Sequence, residues 1–140
     1  MPQLSEYYIK ISLTYLIAGF TLGALLLAHK GIPFASSLWN LLWVHVEWVL
    51  LGWILHLAMG VAYWMFPRFN PSTTGKPQRG NIVAAWLALI LLNAGILCYS
   101  ASLWLGQLTW GPLLGRGLEV AGVVAFVLNL WPRTKPVTET

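Results

Sequence analysis

The apolar residues of this chain come in blocks long enough to cross a membrane, and that feature limits the fold more than any other. Ile11–Ala28 runs 18 residues without a charged side chain, and Ile82–Leu105 runs 24. Leu38–Phe66 runs 29 residues, with His45, Glu47 and His56 as its only ionisable interruptions. About 20 apolar residues in a helix span a hydrocarbon core of about 30 Å. A fourth block, Leu113–Trp131, has similar length but carries Arg116 and Glu119 near its start. The length alone would suit one modest soluble domain. However, only 9% of the 140 residues are charged, against roughly 25% in soluble domains. The sequence therefore predicts an all-α membrane protein, a single four-transmembrane-helix bundle over residues 1–140, with helices at about 8–28, 37–66, 81–105 and 113–131.

Boundary signals support these limits. The first block stops at His29-Lys30-Gly31-Ile32-Pro33 and the second at Pro67, while Gly111-Pro112 precedes the fourth. Pro71, Gly75, Pro77 and Gly80 mark residues 68–80 as a loop. The second block is longer than the hydrocarbon requires, so its helix should tilt or protrude outward. The N-terminal Met-Pro-Gln-Leu-Ser-Glu lacks the basic region of a secretory signal, and the first block reads as a retained span. Cys98 is the lone cysteine and lies within the third block, which excludes a disulfide framework within one chain.

Charge sets the expected orientation. The formal net charge of +4 comes from basic residues too few and scattered to track a phosphate backbone, so nucleic acid is not an expected partner. Lys10, Arg68, Lys76, Arg79, Arg133 and Lys135 fall on one side of a four-span arrangement, and Lys30 and Arg116 on the other. Positive residues concentrate on cytoplasmic segments. Both termini and loop 68–80 are accordingly expected in the cytoplasm. The aromatic residues follow suit, with Trp39, Trp43, Trp104 and Trp110 at the outer ends and Tyr63, Trp64, Phe66 and Trp131 at the inner ends.

Chemistry, in such a chain, rests on polar groups inside the spans. An ionisable group in hydrocarbon costs several kcal/mol unless it is paired or ligated, so each one is a functional candidate. His45 and His56 are 11 residues apart, which on an α-helix brings them within about 20° of one face with about 16.5 Å of axial separation. One metal ion cannot reach both. Glu47 lies about 200° from His45 at about 100° per residue, facing headgroups or a neighbouring subunit. Arg116 and Glu119 are spaced to pair with each other. His29 beside Lys30 suits a solvated interfacial role, and Asn93 suits hydrogen bonding between helices. Trp48, Trp53 and Met59 fit either a cofactor pocket or ordinary packing.

Two stretches carry a family resemblance. Trp43-Val44-His45-Val46-Glu47-Trp48-Val49-Leu50-Leu51-Gly52-Trp53, continuing through Gly60-Val61-Ala62-Tyr63-Trp64-Met65-Phe66-Pro67-Arg68, resembles helix II of the haem–copper oxidase superfamily. The likeness is nearest to the large subunit of nitric oxide reductases. Gly115-Arg116-Gly117-Leu118-Glu119, followed by Ala121-Gly122-Val123-Val124-Ala125-Phe126-Val127-Leu128-Asn129, looks like the segment leading into helix IV, shortened by several residues. In order along the chain, the likeness is to the first four helices of a subunit of about twelve.

This resemblance implies that His45 is an axial ligand of a low-spin haem b, and the depth inferred for His45 agrees with that role. It also implies that Arg116 holds haem propionates, as an alternative to pairing with Glu119, and that Glu119 corresponds to an acidic position associated with calcium. His56 has no counterpart; it is either a ligand of a second haem or a buried packing residue. The later helices, with the other ligands of the family's reducing centre, are missing, so oxygen or nitric oxide reduction by this chain alone is not expected. The expected activity is electron transfer, or membership of a respiratory complex, in a homodimer or larger assembly in a prokaryotic inner membrane. A structural subunit without cofactor is the alternative. A small-molecule transporter is a third and weaker one, because paired interrupted helices are missing.

Overall fold

The computed structural model describes residues 1–68, 79–105 and 109–134. Among these residues there is no strand, and four helices are long and apolar enough to cross a membrane: Gln3–Gly31, Ser37–Met65, Ile82–Leu105 and Gly111–Thr134. Most of loop 68–80 and the tail beyond Thr134 lie outside the described residues.

The first helix, α1 (Gln3–Gly31), begins directly after Pro2, whose fixed φ suits a helix entry, and ends before Ile32-Pro33. It is longer at both ends than the expected 8–28. His29 corrects its sequence-based reading. The side chain is buried, and Nδ1 accepts hydrogen bonds from the backbone N–H groups of Phe34 and Ala35 at 3.1 and 3.3 Å. The imidazole therefore secures the turn after α1 instead of facing water.

The second span is composite, where a continuous helix over 37–66 was expected. A 3-10 turn (Ser36–Leu41) leads into α2 (Leu42–Glu47), then a π-helical segment (Trp48–Leu55), then α3 (His56–Met65). Gly52, within the π segment, lies against the ring of Tyr15, where an added Cβ would fall 2.5 Å from Cγ. A π segment holds more residues per turn than an α-helix, so the helical phase between His45 and His56 shifts. The two imidazoles do not share one environment as an unbroken α-helix would have them do. His45 hydrogen-bonds to α1, whereas His56 lies between α1 and the third span.

Helix α4 (Ile82–Leu105) is capped by Asn81, whose Oδ1 accepts from the N–H groups of Val83 and Ala84 at 2.9 and 3.2 Å. Helix α5 (Gly111–Leu130) starts two residues before the expected 113, with Pro112 in its first turn where no N–H is needed. The α4–α5 seam is the closest in the bundle. At Gly95 and Gly115 the backbones approach so nearly that an added Cβ would sit 2.8 Å from the opposing backbone, so only glycine fits there. Helix α1 packs on the second span and touches α4 only lightly, while α2 and the π segment join the two halves through α4.

The distribution of polarity is that of a membrane protein. Ile17, Leu27, Leu113 and Leu128 are each between 66% and 71% exposed. Ser5, Ser12, His56, Glu47, Glu119, Asn129 and Arg133 are buried. Without water to satisfy them, polar groups at membrane depth must find partners inside the bundle, and most of these do. The inner core is built from Tyr8, Tyr15, Met59, Leu89, Leu92, Ile96 and Phe126.

Candidate functional site

His45 projects from α2 onto the face of α1. Its Nδ1 lies 2.7 Å from the carbonyl oxygen of Gly19. A carbonyl only accepts, so Nδ1 carries the proton and Nε2 presents a lone pair. The ring has room because position 23 is glycine: a Cβ there would lie 2.7 Å from Cε1 and 3.1 Å from Nδ1. The imidazole borders a groove of about 250 Å³ lined by Gly23, Leu26, Leu27, Lys30, Trp39, Leu42 and His45. A donor nitrogen oriented by a backbone carbonyl through its other nitrogen is the arrangement found in metal-ligating histidines. The groove is mostly apolar, with one cation, Lys30, at its end. Of these residues, His45 is the one able to ligate a metal or haem iron, and Lys30 the one able to pair with a carboxylate.

His56 is placed quite differently. It is fully buried, flanked by the rings of Tyr8 and Tyr15 at centroid distances of 5.7 and 5.8 Å. Nδ1 lies 2.8 Å from the Leu51 carbonyl, so this nitrogen is also protonated. The lone pair on Nε2 accepts from Asn93 Nδ2 at 2.9 Å. Asn93 gives its other amide proton to the Leu89 carbonyl at 2.9 Å, and its Oδ1 accepts from the Tyr15 hydroxyl at 3.3 Å. The imidazole and the amide thus use all of their donors, and His56 keeps no lone pair for a metal. Of the two readings left open by the sequence, the geometry favours the hydrogen-bonded packing residue.

Arg116 is engaged by two carboxylates and an aromatic ring. Its guanidinium lies 2.8 Å from Glu47 Oε2 and 2.6 Å from Glu119 Oε2, and stacks over the Tyr99 ring at 3.8 Å. The expected Arg116–Glu119 pair is present, but Glu47 completes it, so Glu47 faces a neighbouring helix of its own chain. Both carboxylates are about 95% buried, and Glu119 Oε1 has no partner among the described residues. Two carboxylates and one guanidinium tie the second span to α5. Calcium at Glu119 gains no support here: the three charged groups already bind one another, and among the described residues no group of three or more His, Cys, Asp or Glu side chains is placed to hold a metal ion.

Several contributors were not legible beforehand. Gly19 and Gly23 are the surface that receives His45, and their only sequence signal is an i, i+4 pair of small residues on α1. Trp48 donates to Ser100 Oγ at 2.9 Å, a packing role across the spans. At the end of the bundle that carries the N-terminus, Arg133 and Arg79 both donate to carbonyls at the end of α3. Arg133 reaches Tyr63, Phe66 and Pro67 at 3.0, 2.6 and 2.9 Å. Arg79 reaches Tyr63 and Trp64 at 3.1 and 2.8 Å. These arginines, read from sequence as topological charges, also close the last turn of the second span.

In comparison with known proteins, no family model matches the chain, and neither a curated protein nor a solved structure matches it significantly.

Proposed function

We propose that this protein is a small b-type cytochrome-like membrane protein, related to the opening third of a haem–copper oxidase subunit. His45 would bind the iron of a haem b, and the assembly would transfer electrons or serve within a respiratory complex. One observation carries this reading. The imidazole of His45 is held through Nδ1 by the Gly19 carbonyl at 2.7 Å and borders a mostly apolar groove, an arrangement that suits a ligating histidine. The haem, when bound, supplies one-electron redox chemistry tuned by its axial ligands and burial. The chain's own part is to orient His45, to line the groove with Leu26, Leu27 and Leu42, and to offer Lys30 as a cation with which a propionate would pair.

Because the groove offers one ligand, the reading includes a second copy or another subunit across the groove, a symmetric dimer being the simplest form. It also includes both termini on the cytoplasmic side of a prokaryotic inner membrane, by the distribution of lysine and arginine. The test is an absorbance spectrum of protein purified after haem-replete expression, oxidised and reduced. A Soret band with sharp reduced α and β bands is expected; absence of any Soret band overturns the cofactor.

A second reading, a structural subunit without cofactor, is favoured by a specific observation. His56, Asn93, Glu47 and Arg116 are engaged within the bundle, as expected where intramembrane polarity serves helix association alone. The same spectrum separates the two.

A further inference from the structure

A cavity of about 580 Å³ opens at the end of the bundle that carries the N-terminus, between the start of α1, the end of α3 and the start of α4. Gln3, Leu4, Arg79, Asn81, Ile82 and Trp86 are among the residues that line it. Its chemistry is divided. Arg79, Gln3 and Asn81 offer polar groups, while Leu4, Ile82 and Trp86 form an apolar wall leading toward the lipid-facing side of α4, where Ile82 and Val83 are each 62% exposed.

The charge around it is one-sided. Arg79 commits Nη1 to the Tyr63 and Trp64 carbonyls, which fixes the guanidinium and leaves Nη2 and Nε as donors. Among the described residues no carboxylate pairs with Arg79 or with Arg133 beside it, and Glu6, in the first turn of α1, is taken by Lys10 at 2.6 Å. Desolvation and then the charge of Arg68 hold Arg79 below the ordinary guanidinium range. The start of α4, with the positive end of its dipole, borders the same cavity. A fixed cation with no carboxylate partner among the described residues, beside an apolar wall at a membrane surface, suits an amphiphile with an anionic head.

We propose that this cavity binds the phosphate-bearing headgroup of an anionic phospholipid from the leaflet on the side of the N-terminus. Arg79 bonds the phosphate, Gln3 and Asn81 take the polar remainder, and an acyl chain runs down the face of α4 past Ile82. This site is independent of His45 and of any haem.

The test is native mass spectrometry of the full chain in detergent, titrated with phosphatidylglycerol or phosphatidylcholine. Phosphatidylglycerol should be retained over phosphatidylcholine by roughly five-fold, the discrimination that one arginine at a membrane surface provides. Ile82→Glu puts a carboxylate at the mouth without touching the capping bonds of Arg79, and should remove that preference; Arg79→Gln should do the same. Inorganic phosphate at millimolar concentration should leave the lipid in place, because it lacks the acyl chain. Equal retention of both lipids overturns the proposal, as does a preference that survives both substitutions. Displacement by free phosphate would show a simple anion site and overturn the lipid assignment.

Discussion

His45 and Gly19 are joined across the first two spans by a 2.7 Å contact between imidazole Nδ1 and a main-chain carbonyl. That bond fixes both the tautomer and the tilt of the ring. It also uses a carbonyl already engaged in the α1 backbone ladder, so the contact needs no specialised side chain on α1. What it needs is space, which Gly23 provides.

Two substitutions test this relationship from opposite sides. His45→Ala should abolish the Soret band of the purified protein. Gly23→Ala keeps the ligand but fills the position 2.7 Å from Cε1, and should displace the ring and lower haem occupancy by tenfold or more, about 1.4 kcal/mol or above. Gly117→Ala, where the added methyl meets nothing within 4 Å, is the control and should leave the spectrum unchanged. Haem retained by His45→Ala would sink the ligand assignment.

His56 should behave in the reverse manner. Its lone pair is held by Asn93, so His56→Ala should leave the haem spectrum intact while loosening the core. Interhelical hydrogen bonds in membranes average about 0.6 kcal/mol and rarely exceed about 1.7. A double-mutant cycle of His56→Ala with Asn93→Ala, followed by steric-trapping or denaturant unfolding in micelles, should give a coupling in that range. A coupling near zero would mean that the Nε2–Asn93 bond contributes nothing.

The number of spans, their approximate limits and their apolar outer surface were legible because bilayer thickness imposes a length on the sequence directly. The intramembrane polar residues were legible for the same reason: His45, His56, Glu47, Arg116 and Asn93 stand out against hydrocarbon. Their partners were not. Helical phase placed His45 and His56 on one face, but the π segment at Trp48–Leu55 depends on contacts such as Gly52 against Tyr15, which no local propensity reveals. The angle from His45 alone points Glu47 to headgroups or a neighbouring subunit; the position of α5, which brings Arg116 to it, is a tertiary fact. His29 was misread as solvated because its acceptor role exists only once the chain turns back at Phe34.

The Glu47–Arg116–Glu119 cluster should respond most strongly to loss of its cation. Removing one partner of a buried ion pair costs about 3–5 kcal/mol, and Arg116, whose side chain is 43% exposed, belongs toward the lower end. Arg116→Leu leaves two buried carboxylates facing each other and should destabilise the bundle more than Glu47→Gln does. Arg116→Lys should recover only part of the loss, because an ammonium cannot match two carboxylates and stack on Tyr99 at once. Thermal unfolding in detergent ranks the three. Equal stability of Arg116→Leu and Glu47→Gln would argue that the cluster is solvated and of little consequence.

Orientation is the remaining expectation, and it can be tested without reference to any cofactor. Lys10, Arg68, Lys76, Arg79, Arg133 and Lys135 oppose only Lys30 and Arg116, and Arg116 is neutralised inside the bundle by Glu47 and Glu119. Lys30 is then the one uncompensated positive charge on the far side among the described residues. Positive residues near short loops resist translocation, so a fluorescent protein fused at either end should fluoresce and alkaline phosphatase fused there should stay inactive. A single cysteine introduced at Lys30, in a Cys98→Ala background, should react with a membrane-impermeant maleimide added to intact cells. One introduced at Arg68 should react only after the cells are opened. Because the bias is 6 against 2, and Arg68, Lys76 and Arg79 lie in one loop, replacing those three together should produce a mixed population. Labelling of Arg68→Cys in intact cells of the otherwise unchanged protein would reverse the assignment and place the His45 groove toward the cytoplasm.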